Sequence, residues 1–121
     1  MNQNIKDNHI EAQMQWALQL LNKYYHFPDF RKGQKIVIKN ILQHKHTLAV
    51  MPTGAGKSIC FQIPALIFPG LTLVISPLIS LMKDQVDALN KRGIKAAYLN
   101  SSLSRSEEKY ITRKLKIGFY K

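Results

Sequence analysis

The stretch Thr47-Leu-Ala-Val-Met-Pro-Thr-Gly-Ala-Gly-Lys-Ser58 decides how this chain is interpreted. Apolar, strand-forming residues lead into a glycine-containing turn, and the turn ends in Gly56-Lys57-Ser58. Glycines let backbone N–H groups close around a polyphosphate, and a helix starting near Lys57 directs its positive end at the same anion. The Lys57 ammonium would contact the phosphates, and the Ser58 hydroxyl would be a Mg²⁺ ligand. The stretch therefore predicts a nucleotide phosphate site, with a glycine-rich turn that binds nothing as the alternative.

The loop departs from the usual spacing at one position. A phosphate loop commonly has glycine where this chain has Met51. What remains is a tighter variant, in which the central glycine makes the turn. The residues expected to bind the nucleotide phosphates are Thr53, Gly54, Ala55, Gly56, Lys57 and Ser58.

Length and composition are those of one globular domain. The chain has 121 residues, enough to bury a hydrophobic core. Its longest apolar stretch, residues 63–75, contains Pro64, Pro69 and Gly70 and is too short to span a membrane. The first residues are polar and lack the apolar segment of a secretory signal, and a single cysteine excludes an internal disulfide. We therefore expect a cytoplasmic protein, nucleoid-associated if bacterial, without a membrane partner.

The chain is strongly basic. Eighteen Lys and Arg residues against seven Asp and Glu residues give a formal net charge of +11. Such an excess favours a polyanionic partner, most often nucleic acid. A solvated, lysine-rich surface is the alternative, and acidic residues elsewhere in a longer protein could also balance the charge.

Apolar spacing predicts alternating helices and strands. Two helices, one ending near Tyr24 and one beginning near Gln34, precede a strand at residues 47–51. Helices after the phosphate loop, after Leu78 and after Ser104 then alternate with strands at 71–76 and 96–99. Pro64 predicts a kink or an early end of the loop's helix, and Ser104 with Glu107 predicts a capping box. The alternation indicates an α/β fold with a doubly wound parallel sheet.

A second group of candidate residues lies about twenty positions before the phosphate loop. Phe27, Arg31 and Gln34 combine an aromatic ring, a guanidinium and a primary amide. The Gln34 amide can donate and accept at once, which matches the edge of adenine, and Phe27 or Arg31 can stack on its face. The alternative is an aromatic helix–loop junction that packs for stability only.

Three ordered blocks together resemble the start of a RecQ-type DNA helicase of superfamily 2. They are Phe30-Arg-Lys-Gly-Gln34, residues 51–65 with the phosphate loop, and Val74-Ile-Ser-Pro-Leu-Ile-Ser-Leu-Met-Lys-Asp-Gln-Val86. The resemblance implies a RecA-like P-loop NTPase fold, cut off before its later strands, with residues 1–45 carrying the adenine motif and 46–121 beginning the ATP-binding domain. It implies ATP and Mg²⁺ as cofactors and single-stranded or forked DNA as partner. The residues it places on the DNA backbone are Ser76, Pro77, Asn100, Ser101 and Ser102.

The chain departs from the family pattern at two positions, and it lacks one motif of the family. His26 stands where the family usually has glycine, and Ala55 replaces the commoner glycine of the loop. No Asp-Glu-x-His box, which such enzymes use for hydrolysis, occurs in the sequence. We therefore expect the front part of a 3′-to-5′ helicase of DNA repair or recombination, which binds ATP but hydrolyses it poorly alone. A truncated nucleic-acid-binding relic and another P-loop enzyme, such as a small-molecule kinase, are the alternatives.

Overall fold

The computed structural model describes residues 2–121, so Met1 of the expected N-terminal part lies outside it. The described chain contains five helices: α1 Gln3–Tyr25, α2 Lys32–Leu42, α3 Lys57–Ile67, α4 Ile79–Lys91 and α5 Arg105–Lys116. They divide into two compact units, Met1–Pro69 and Gly70–Lys121. No helix in the described part is long and apolar enough to cross a membrane.

The first unit has a continuous hydrophobic core. Ile10, Met14, Ala17, Leu21 and Tyr25 repeat every three or four residues along α1 and are all buried, so they form one face of that helix. Helices α2 and α3 cover this face with apolar side chains of their own. The buried residues that they contribute to the core are Ile38, Leu42, Ile59 and Ile63.

A polar contact also joins helices in this unit. The Tyr25 hydroxyl donates a hydrogen bond of 2.6 Å to Oε1 of Gln62 and so links the end of α1 to α3. Pro64 is buried inside α3, which continues to Ile67, so of the predicted kink or early end at this proline the early end does not occur. The proline removes one backbone donor only, and its side chain packs in a helix whose inner face is buried.

The second unit is held by local structure. Asn90 at the end of α4 accepts from the backbone N–H of Ala96 and donates to its carbonyl, both at 3.1 Å. The predicted capping box of α5 is confirmed, because Ser104 Oγ accepts from Glu107 N and Glu107 Oε2 accepts from Ser104 N. Helices α4 and α5 contain no buried residue. In the described part of this unit, one hydrophobic residue is buried, and it is Ile94.

The predicted parallel sheet is not present between residues 2 and 121. The segments 47–51, 71–76 and 96–99, expected as strands, contain no β-strand, whereas the five predicted helices are all found. A strand needs a neighbour for its backbone hydrogen bonds. The backbone bonds found beside these segments involve Lys121 instead: Thr72 N donates to Lys121 O at 2.9 Å, and Lys121 N donates to Lys95 O at 3.0 Å. The side chains are correspondingly open, with Leu48 and Ile75 about nine-tenths exposed, at 92% and 90%.

Candidate nucleotide-binding site

The phosphate loop turns on its two glycines. Gly54 and Gly56 have φ angles of +81° and +77°, a left-handed conformation that other residues rarely adopt. Between them, the Ala55 N–H donates to the Pro52 carbonyl at 3.2 Å and closes the turn. Ala55, which replaces the commoner glycine, does not have a positive φ, so this turn tolerates its side chain.

Helix α3 begins directly behind the loop. Gly56 is its N-cap residue and Lys57 its first residue, so the sequence predicted this boundary correctly. No side chain caps the helix, and no acidic residue lies in its first turn. The first N–H groups of a helix have no partner within it and carry partial positive charge. With exposed Lys57 and half-buried Ser58 in the same turn, this end of α3 is suited to a phosphate anion.

Gln34 connects the first group of candidate residues to the loop. Its side chain is 3% exposed, the one buried polar residue in the described chain. Its Nε2 donates to the Gly56 carbonyl at 3.0 Å, and its Oε1 accepts from the Arg31 backbone N–H at 2.9 Å. A Cβ at position 56 would lie 2.3 Å from Gln34 Nε2. Glycine at 56 is thus required by its backbone angle and by the approach of this amide.

Arg31 makes the second connection. Its Nη1 donates to the Gly54 carbonyl, so both glycines of the loop accept hydrogen bonds from the segment that precedes α2. These bonds fix the two carbonyls on the side of the α2 segment. Arg31, Gln34, Gly54 and Gly56, which lie in two separate parts of the sequence, are therefore brought together by the structure.

Phe27 lies just after the end of α1, and its carbonyl accepts a hydrogen bond from Asn22. Its ring is half exposed, at 50%, and His26 before it has φ +59° and ψ 29° at the C-cap of the helix. This left-handed angle is a physical reason for the glycine that the family usually has there. His26 accommodates the same conformation and allows the chain to turn toward Phe27.

Asn22 is a positioning residue that the sequence analysis missed. Its Nδ2 donates to the carbonyls of Leu18 and Phe27 at 2.9 and 2.8 Å, so it holds the segment after α1 against the last turn of that helix. The signal in the sequence was weak, because an asparagine near a helix end is ordinary. Only the fold shows which carbonyls it reaches.

Beneath the loop lies a small sulfur-containing contact. Cys60 Sγ is 3.8 Å from Met51 Sδ and 4.0 Å from the Gly56 carbonyl oxygen. Burial raises the pKa of the Cys60 thiol, which keeps it protonated and unreactive at neutral pH. Cys60 therefore acts as the small buried residue that its position on α3 predicted. No group of three or more metal-ligating side chains occurs in residues 2–121, which include His44 and His46.

The residues expected at the DNA backbone all lie in the second unit. Ser76 Oγ accepts from the Leu78 N–H at 3.2 Å and precedes exposed Pro77 and α4. Asn100 Oδ1 accepts from the Ser102 N–H at 2.9 Å, and Ser101 is exposed in the same turn. The structure thus forms two polar turns from these five residues, one before α4 and one before α5.

Comparison with known proteins adds to this geometry. Residues 31–119 match the family described as DEAD/DEAH box helicase, which covers more than half of the chain. The chain belongs to the DEAD/DEAH box helicase family. Membership implies a RecA-like fold, and it places the Arg31 segment, the phosphate loop and both polar turns within the matched region.

Curated relatives within this helicase family carry RecQ names. The chain is 52% identical to the ATP-dependent DNA helicase RecQ of Pasteurella multocida over 99% of its own length and 19% of the relative. It is 54% identical to the RecQ helicase of Bacillus subtilis over 87% of the chain and 18% of that protein. An Arabidopsis thaliana protein, ATP-dependent DNA helicase Q-like 5, is 50% identical over 92% of the chain and 12% of its own length. The predicted resemblance to RecQ-type helicases is confirmed, and the chain spans about a fifth or less of these relatives.

Proposed function

We propose that this chain is the ATP-binding front part of a RecQ-type, ATP-dependent DNA helicase. One observation carries the proposal: Arg31 and Gln34 donate hydrogen bonds to the carbonyls of Gly54 and Gly56, which joins the segment proposed to read the base to the proposed phosphate loop. A phosphate loop alone would fit any P-loop enzyme. Its physical connection to a buried primary amide 22 residues upstream favours an enzyme that selects the base as well as the phosphates.

The residues present fit ATP with Mg²⁺. The first turn of α3 has no acidic residue and no side-chain cap, and Lys57 is exposed beside it. Thr53, Gly54, Ala55 and Gly56 would contact the phosphates through their backbone, Lys57 through its ammonium and Ser58 through Mg²⁺. When bound, Mg²⁺ neutralises charge on the phosphates and orients them. The chain's own contribution is to bind and orient this group.

Gln34 must become accessible to read adenine. Both ends of its amide already have hydrogen bonds, and its side chain is buried. We propose that an adenine base displaces the Gly56 carbonyl from Gln34 Nε2, with Phe27 or Arg31 on the face of the ring. Because the same bond holds the loop, occupancy by the base would release the loop carbonyl, which links base recognition to the phosphate site.

The two polar turns of the second unit are proposed DNA contacts. Ser76 and Pro77 precede the N-terminal end of α4, while Asn100, Ser101 and Ser102 precede α5. Hydroxyls and backbone N–H groups at such turns can position phosphates without reading sequence. The net charge of +11 is consistent with this partner. Translocation in the 3′-to-5′ direction, a role in repair or recombination, and a cytoplasmic or nucleoid location belong to the same proposal.

We also propose that the apolar segments at 47–51, 71–76 and 96–99 form the parallel sheet of a RecA-like domain in the longer protein. Their exposed Leu48, Val50, Leu73 and Ile75 side chains are those that a covered sheet would bury. In this arrangement residues 1–45 are the adenine-motif region and 46–121 the first part of the ATP-binding domain.

The Lys57→Ala variant tests the nucleotide site. Charge-assisted contacts are worth roughly 1.5–3 kcal/mol each, so we expect Mg·ATP to raise the melting temperature of the wild-type chain and to leave that of the variant nearly unchanged. Lys45→Ala, which removes an exposed lysine outside the site, is the matched control and should keep the full shift. An equal shift in wild type and Lys57→Ala would contradict the assignment.

The base and the DNA partner need separate measurements. Mg·GTP should give a smaller shift than Mg·ATP, and Gln34→Ala should remove that difference.

In the longer protein, single-stranded DNA should stimulate ATP hydrolysis. DNA binding that ignores ATP would instead favour the nucleic-acid-binding relic, and hydrolysis indifferent to DNA would favour another P-loop enzyme.

A further inference from the structure

Two lysines of the second unit meet on one aromatic ring. Lys95 Nζ lies 4.4 Å from the centre of the Phe119 ring and Lys114 Nζ lies 4.5 Å from it. Lys114 Nζ is also 5.6 Å from the centre of the Tyr110 ring. We call Lys95, Tyr110, Lys114 and Phe119 the basic–aromatic patch. Both rings are partly open to solvent, with Tyr110 55% and Phe119 37% exposed.

The backbone fixes the patch in place. The Gly118 and Phe119 N–H groups donate to the carbonyls of Leu115 and Lys114, both at 3.1 Å, and fold the chain back over the end of α5. The Lys121 N–H donates to the Lys95 carbonyl at 3.0 Å and holds the segment before Ala96 beside them. Three separate pieces of chain therefore converge on the Phe119 ring, so the patch is preorganised rather than formed by chance side-chain positions.

The charge of the patch is not compensated within the described chain. Neither Lys95 nor Lys114 has a carboxylate within 4.0 Å in the described chain, in contrast to Lys83, which pairs with Asp87. The last turn of α5 adds Arg113 and Lys116, whereas its acidic residues, Glu107 and Glu108, lie in the first turn. Two ammonium groups on one ring repel each other, and an anion between or beside them would remove that repulsion.

We propose that the basic–aromatic patch binds the backbone and bases of single-stranded nucleic acid, as a contact additional to the Ser76 and Asn100 turns. Ammonium groups next to exposed rings match a strand in which phosphates alternate with unstacked bases. A duplex offers phosphates but no free base faces, and an acidic peptide offers charges but no stacking partner for both rings. None of the four patch residues belongs to the proposed polar turns, so the patch is a contact in addition to them.

The inference rests on the proposed function in one respect, which is that the ligand is a nucleic acid strand. The test measures binding of a fluorescein-labelled oligothymidylate to the 121-residue chain by anisotropy, between about 50 and 200 mM salt. Lys95→Gln/Lys114→Gln should weaken binding and lower the slope of log affinity against log salt by about 1.4, since each contacted phosphate of a single strand contributes about 0.7. Phe119→Ala should weaken binding about tenfold and leave that slope unchanged, because it removes stacking and no charge.

Lys23→Gln/Lys45→Gln is the matched control. It removes the same charge from exposed lysines of the first unit, one of which, Lys23, also lies over an aromatic ring at 5.0 Å. Equal slopes and affinities for the patch and control variants would overturn the inference while leaving the proposed function standing. Absence of any strand binding by the wild-type chain would overturn the inference and count against the proposed DNA turns, while the Mg·ATP shift would still test the nucleotide site.

A measurement on the wild-type chain avoids dependence on how the variants fold. Ultraviolet cross-linking to the same oligothymidylate, followed by peptide mass spectrometry, should place cross-links at Tyr110 or Phe119. Cross-links confined to other peptides would overturn the inference, as would displacement of the strand by poly-glutamate as effectively as by unlabelled oligothymidylate.

Discussion

The two units of the chain are stabilised in different ways. In the first, α1 buries a continuous face against α2 and α3, and side chains from distant positions bind the loop that precedes α3. In the second, α4 and α5 have no buried residues and are held by caps, by Asn90 and by a few backbone bonds. Long-range packing thus positions the candidate nucleotide site, while local hydrogen bonds shape the candidate DNA turns. Three variants and a change of pH test this difference between the units, from the largest expected effect on stability to the smallest.

The largest effect is expected from the core of the first unit. Leu21 is fully buried on α1, so Leu21→Ala should lower the free energy of unfolding by about 2–5 kcal/mol through lost burial and a residual cavity. Leu81→Ala in α4 removes the same atoms from a residue that is 44% exposed, and it should change stability by less than about 1 kcal/mol. Urea unfolding followed by circular dichroism measures both variants. Comparable losses would show that the second unit has a core of similar strength.

Gly56→Ala tests the connection between Gln34 and the loop. The variant combines a strained positive φ, roughly 1–2 kcal/mol, with a Cβ that collides with the Gln34 amide. Gly54→Ala has the same kind of strain but no atom within 4 Å of the added Cβ. We expect both variants to lose stability, and Gly56→Ala to lose more than Gly54→Ala. Gly56→Ala should also lose the rise in melting temperature that Mg·ATP causes. Equal behaviour of the two variants would show that the Gln34 contact contributes nothing beyond backbone strain.

A pH dependence is expected in the second unit. Hydrogen bonds from the Ser104 backbone and side chain hold the pKa of Glu107 below its ordinary value of about 4.3. A carboxylate with a lowered pKa in the folded state stabilises that state above the unfolded pKa, and the contribution is lost as pH falls through the folded pKa. The helicity of α5 should therefore decline below about pH 4.3.

Ser104→Ala is the control for this pH effect. It removes the hydroxyl that caps α5 and should lower helix stability by about 1 kcal/mol at neutral pH. Because the reciprocal bonds of the capping box then weaken, its helicity should depend less on acid than that of wild type. Nuclear magnetic resonance of the Glu107 amide follows the wild-type chain and Ser104→Ala across the acidic pH range. The bond from the backbone N–H of residue 104 remains in this variant, so an unchanged titration would contradict only the part assigned to the Ser104 hydroxyl.

The sequence predicted what depends on local spacing and missed what depends on distant partners. The face of α1 from Ile10 to Tyr25 and the Ser104–Glu107 capping box follow from residues within one or two helical turns. The apolar 47–51 segment has the composition of a strand, but a strand also needs hydrogen-bonding neighbours that composition does not supply. Gln34 was recognised as a candidate for adenine, yet its bond to Gly56 depends on how α2 packs near α3.

The smallest effect concerns His26, at the end of α1. Its φ of +59° disfavours a residue with a Cβ by roughly 1–2 kcal/mol. Glycine removes this strain, but it also loses more backbone entropy on folding, so only part of the energy is regained. His26→Gly should therefore raise the free energy of unfolding by about 0.5 kcal/mol. His44→Gly is the matched comparison, since His44 has φ +58° but stacks on Phe68 with ring centres 5.0 Å apart. Removing that stacked ring should cancel the gain. If His26→Gly is neutral or destabilising in urea unfolding, the left-handed turn is not the reason for glycine at this position, and contacts of the histidine ring must stabilise the segment that carries Phe27.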